Sequence, residues 1–168
     1  VGRAVVTALE QYGSGRRMSG ASTITQQVAK NMLVGADRTM TRKVREAILA
    51  LRIEGALPKE RILELYLNEI FLGAQAYGVA AAAQAYFNKA LDELTLAEAA
   101  FLGALPKAPN NYNPVRFPEA AKARRDWVID RMAEDGAITA AEAAAARAEP
   151  LVPRPTRRPE VLAVGQHF

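Results

Sequence analysis

A chain of 168 residues, half of them apolar and about a quarter charged, has the size and composition of one soluble globular domain and is too short for two comfortable ones. It has no cysteine, which excludes a disulfide framework and thiolate chemistry. Its single histidine, His167, stands in the tail and makes a poor candidate for catalysis or zinc binding. The net charge of +4 suits an anionic partner without naming it.

The pattern predicts helices throughout. The chain opens on Val1 with no signal sequence and reads as a piece of a longer protein. Thr23 and Gln26 form a capping box opening a first helix, which Gly35 can end. A second helix is predicted from about Met40 to Ile53. Pro58 suits the first position of a third and Gly73 its end. Residues 70–88, IFLGAQAYGVAAAAQAYFN, carry no charge and are long enough to suggest a membrane span. The run is mostly alanine, broken by Gly73 and Gly78, so a buried helix starting near Val79 is the better reading. Thr95 and Glu98 form a second capping box, for a helix up to Leu105. LPKAPNNYNP, residues 105–114, reads as a rigid polar loop. Pro118 opens a helix with Trp127, Val128 and Met132. EDGAI, 134–138, reads as its end and a turn. Thr139 and Glu142 cap an alanine-rich helix. From Pro150 the residues read as a proline- and arginine-rich linker, and only VLAVG, 161–165, could be a strand.

The polar residues carry the functional signal. In GASTITQQVAKN, 20–31, Ile24, Val28 and Met32 form the predicted apolar stripe. Thr23, Gln27, Lys30 and Asn31 project elsewhere. A helix start with free N–H groups and a lysine one or two turns on suits an oxyanion. A capped helix with a solvated face explains the same residues.

The next motif, in DRTMTRKVREAILALRIE, gathers Arg38, Arg42, Lys43 and Arg45 around Glu46. Val44, Ile48 and Leu51 make one apolar face. Glu46 lies opposite, beside Leu49 and Ile53, so the helix is expected to be buried on both sides. The nearby cations favour the carboxylate form of Glu46. A structural ion pair is the plain reading, but the cations outnumber the carboxylate. Aromatic residues do not interleave with the basic ones, so base stacking is not suggested and nucleic acid is not expected as a partner.

GASTITQQVAKN, RKVRE and KERILELYLNEIFLG together resemble the glycosyltransferase domain of class A penicillin-binding proteins, glycosyltransferase family 51. Residues 77–114 resemble the rest of that domain, and 115–150 do so more loosely. Asn88 departs from the glycine common before Lys89, a change expected to matter little. The resemblance implies an all-α, lysozyme-like fold over residues 1–149, with 150–168 as a linker toward a following domain. It implies that lipid II is polymerised into glycan strands with inversion and release of undecaprenyl diphosphate. This would occur at the outer, periplasmic face of the bacterial cytoplasmic membrane, beside other cell-wall synthesis proteins. No cofactor is implied with certainty, and a divalent metal remains compatible.

By the same resemblance, Ser22, Gln27, Lys30 and Asn31 line the donor site. Lys30 and Arg38 would neutralise the leaving diphosphate. Glu46 matches the family's second catalytic glutamate, with Arg42, Lys43 and Arg45 supporting the cluster. The family's first motif, a Glu-Asp pair followed by phenylalanine and histidine, supplies the base in that scheme. It is expected before Ser22 and is absent, so residues 1–168 are expected to be inactive alone. Arg124 and Arg125 read as bystanders. Two other readings stand beside this one. A lysozyme-like hydrolase would use a similar pair of carboxylates, but it has no need of a diphosphate-type cluster. A non-catalytic helical module could bind anionic lipid through the same cations.

Overall fold

A computed structural model describes residues 23–32 and 40–154. The chain divides into two compact units, Val1–Glu69 and Ile70–Phe168. The first holds α1 (Ile24–Met32), α2 (Met40–Ala56) and α3 (Lys59–Glu69), with α1 packed on both others and α2 also on α3. The expected capping box forms. Thr23 N–H donates to Gln26 Oε1 and Gln26 N–H to Thr23 Oγ1, both at 3.2 Å. Gln26 is therefore spent on the helix start.

The apolar faces differ from expectation. On α1 the buried residues are Thr25, Val28 and Ala29, while Ile24 and Met32 are exposed. Small side chains at 25 and 29 let α1 approach its partners closely. On α2 only one side is buried. Glu46, Ala50 and Ile53 lie inward at i, i+4 and i+7, whereas Val44, Ile48 and Leu51 are 55%, 48% and 55% exposed. Apolar pattern marks both sides equally, and the choice falls to the helices that pack there.

The second unit opens with a tight turn, Phe71–Gly78. It leads to α4 (Val79–Phe87), a 3-10 turn (Leu91–Glu93), α5 (Leu96–Ala104) and a second 3-10 turn (Leu105–Lys107). A polar loop follows, then α6 (Pro118–Glu134) and α7 (Ala140–Ala148). Among the described residues there is no strand, only an isolated antiparallel bridge between Phe71 and Tyr77. No described helix is long and apolar enough to cross a membrane. Within the described residues the chain is all-α, as expected.

Two groups of core side chains stand out among the described residues of this unit. Tyr86 and Phe87 each meet Phe101 nearly edge-on, at centroid separations of 5.5 and 5.8 Å, the geometry aromatic quadrupoles favour. Ala97, Ala100, Ile129, Ala143 and Ala146 form the second group, with Val128 and Met132 against it. Thr95 Oγ1 accepts from Glu98 N–H in the expected box and donates to Glu149 Oε1 at 2.7 Å. Glu98 also pairs with Lys89 at 2.7 Å.

Two helix-end details have a clear cause. Asn88 caps α4 at φ 54°, ψ 44°, the left-handed region where glycine is easiest and asparagine next easiest. The glycine-to-asparagine departure thus keeps the conformation. Gly136, at φ 74°, turns the chain after α6, where Ala137 N–H reaches Met132 O at 2.9 Å. EDGAI is therefore a helix end, as read.

Candidate active site

Glu46 is the centre of the candidate site. A carboxylate inside a helix contact is stable only if its oxygens are occupied. Here both are. Arg42 Nε donates to Oε1 at 3.0 Å, and Lys43 Nζ to Oε2 at 2.6 Å. The donors come from one turn earlier on the same helix, i−4 and i−3, where helical geometry brings side chains together. Glu46 is 4% exposed, against a half-exposed Lys43 side chain. The pair therefore joins a buried anion to a cation that reaches water.

Burial alone would raise the Glu46 pKa. The Lys43 hydrogen bond and charge, followed by those of Arg42, outweigh it and hold the carboxyl below its ordinary value. At neutral pH Glu46 is an anion and has no proton to donate. It can fix two cations in place.

The other expected residues lie as follows. Gln27 is half-buried on α1, and Lys30 and Asn31 are exposed near its end. Lys30 stands in the last turn of α1. At 1.5 Å of rise per residue it is about 9 Å along the axis from Ile24. The lysine thus stands about two turns from the helix start, beside the negative end of the helix dipole. Arg45 is exposed and has no carboxylate within ion-pair distance among the described residues. Ser22 and Arg38 lie outside the described residues.

One feature of α2 was not expected from the sequence. The exposed stripe of Val44, Ile48 and Leu51 lies on α2 opposite Glu46, with the exposed Arg45 and Arg52 along one edge. The apolar spacing signalled it, and the expectation of burial on both sides hid it. Among the described residues, no group of three or more acidic, histidine or cysteine side chains is placed to hold a metal ion.

The profile of one family, the transglycosylases, matches residues 1–133. The chain belongs to the transglycosylase family. Relatives of this transglycosylase include penicillin-binding protein 1A of Rickettsia felis, 53% identical over 95% of the chain and 20% of that protein. The protein of the same name from Aquifex aeolicus is 55% identical over 80% of the chain and 19% of that protein. Among solved structures, penicillin-binding protein 1A of Haemophilus influenzae matches with a TM-score of 0.54 and 33% identity, over 84% of this chain and 18% of that one. The transglycosylase spans about a fifth of the length of the curated relatives it matches. Its fold is the lysozyme-like helical domain of these proteins. At the level of the family it is a peptidoglycan glycosyltransferase domain.

Proposed function

We propose that this chain is the part of a peptidoglycan glycosyltransferase that binds the donor and stabilises the leaving group, and that its substrate is lipid II. The acceptor sugar's 4-hydroxyl attacks the anomeric carbon of the growing strand. The bond from that carbon to the diphosphate oxygen breaks, undecaprenyl diphosphate leaves, and a β-1,4 bond forms with inversion. The observation that carries the reading is the buried Glu46 carboxylate between Arg42 and Lys43. It holds a cationic cluster in a fixed arrangement, as stabilising a departing diphosphate requires. In this reading Lys30 and Arg38 meet the diphosphate, and Ser22, Gln27 and Asn31 hold sugar and phosphate oxygens. Arg45 adds positive potential beside them.

The reading places the domain in residues 1–149, with 150–168 as a linker. It places the protein at the outer face of the bacterial cytoplasmic membrane, among other cell-wall synthesis proteins. The α2 stripe supports contact with that membrane. An apolar face edged by arginines is the pattern of a helix lying in a lipid interface.

A neutral hydroxyl is a poor nucleophile and needs a base. Glu46 is occupied by two cations and is a poor candidate. The Glu-Asp-Phe-His motif that would supply the base is not among residues 1–168. The test compares residues 1–168 with the same residues joined, at Val1, to a first-motif segment that carries the Glu-Asp pair, phenylalanine and histidine. Both are incubated with labelled lipid II in detergent. Glycan strands are expected from the joined protein alone. Strands from 1–168 would place the base within it, and none from either would count against the glycosyltransferase reading.

A further inference from the structure

Tyr86 touches two distant parts of the second unit at once. Its hydroxyl, buried, donates to Leu72 O at 2.8 Å, inside the Phe71–Gly78 turn. Its own carbonyl, at the end of α4, accepts the Arg154 N–H at 2.7 Å. A carbonyl in the last turn of a helix has no partner within the helix, so the segment after α7 supplies one. Leu151 and Pro153 are half-buried in that segment. Its start is held by Arg125, which donates to Glu149 O.

The turn at the other end of Tyr86 is under constraint. Gly73, Ala74 and Gln75 are all left-handed, at φ 81°, 48° and 58°, a conformation costly for the two residues that carry a Cβ. A Cβ on Gly73 would lie 2.5 Å from the Tyr86 hydroxyl and 3.3 Å from Pro109. Leu72 N–H to Ala76 O, Ala76 N–H to Gly73 O and Gly78 N–H to Ile70 O close the turn. The phenol of Tyr86 hydrogen-bonds this turn to the last turn of α4.

We propose that Tyr86 couples the segment Pro150–Arg154 to the Phe71–Gly78 turn, so that lifting the segment off α4 loosens the turn. The last turn of α4 is the moving part. With its carbonyl occupied, the phenol is held against Leu72. With the carbonyl released, the helix end frays and the phenol retreats from a turn that is strained without it. The turn presents Phe71 and Tyr77, whose rings lie 5.1 Å apart and are exposed. A pull on the chain beyond α7 would thereby change what that surface offers.

The test is amide hydrogen exchange by NMR on the whole 168-residue chain. Tyr86→Phe removes the phenol bond, and Leu72, Ala76 and Gly78 amides are expected to exchange about tenfold faster, with α6 amides unchanged. Arg154→Pro removes the N–H that reaches Tyr86, together with the arginine side chain, which Arg154→Ala also removes. It is expected to accelerate the same turn amides by about fivefold, while Arg154→Ala, which keeps that N–H, leaves them as they are. Turn exchange in Arg154→Pro equal to that in Arg154→Ala overturns the coupling, as does an unchanged turn in Tyr86→Phe. If Arg154→Pro unfolds the whole unit, so that α6 amides accelerate equally, Leu151→Ala decides. Faster turn exchange relative to α6 is expected from it, and equal exchange overturns the proposal.

Discussion

Lys43 Nζ lies 2.6 Å from Glu46 Oε2, joining a half-exposed cation to a carboxylate that is almost wholly buried. Its folded-state pKa lies below the ordinary 4.5. A depressed carboxyl stabilises the fold above its unfolded value, and that stability is lost as pH falls through the folded value. The urea stability difference between wild type and Glu46→Gln should therefore be steady near neutrality and shrink below about pH 4.5. A difference constant down to the lowest pH at which the protein folds would show that the pair does not titrate as the geometry requires.

Arg125 has a structural task that makes it unsuitable as a neutral reference position. Its side chain is fully buried. It donates to Asp126 Oδ1 at 2.7 and 2.9 Å, to Glu149 O at 2.7 Å and to Arg147 O at 3.2 Å. Arg125→Ala leaves two helix-end carbonyls and a carboxylate short of a partner, at a cost of about 3–5 kcal/mol. The thermal midpoint should fall by at least about 6 °C. A midpoint within about 2 °C of wild type would mean that water replaces the guanidinium at little cost.

Asn88 offers a cleaner test of backbone conformation. Asn88→Gly should be neutral or mildly stabilising, whereas Asn88→Val, with a branched Cβ at positive φ, should cost about 1–2 kcal/mol. Chemical denaturation reads both. Equal stability of the two variants would contradict the left-handed cap.

If Lys30 and Arg38 act on one diphosphate, Lys30→Ala and Arg38→Ala should each weaken polymerisation, and the double variant should lose less than the product of the two factors. The assay uses the chain joined to the first-motif segment. Arg131 is the reference position, exposed and paired with Glu134 on α6. Strictly multiplicative losses would place the two cations on separate groups.

What the sequence discloses follows the range of the interaction. All three capping boxes, at Thr23, Thr95 and Thr139, were legible because each lies within three residues. Glu46 with Arg42 and Lys43 was legible for the same reason. The Arg125 anchor was not, because its carbonyl partners lie 22 and 24 residues away and backbone oxygens leave no mark in sequence. The buried side of α2 was misjudged because Val44, Ile48 and Leu51 and the residues beside Glu46 have equal apolar claims. Only packing of α2 on α1 and α3 distinguishes the sides. The docked segment at Arg154, within a stretch read as linker, is likewise set by a backbone bond to a distant helix end.

The role of Glu46 is decided by lipid II polymerisation with Glu46→Gln in the chain joined to the first-motif segment. Glutamine keeps the shape of the side chain but removes the charge that holds Arg42 and Lys43. A fall of at least about 100-fold, near 2.7 kcal/mol of barrier, is expected, with the helical circular dichroism signal retained. Polymerisation within about threefold of wild type, under 1 kcal/mol, would contradict the assignment of Glu46 to the reaction.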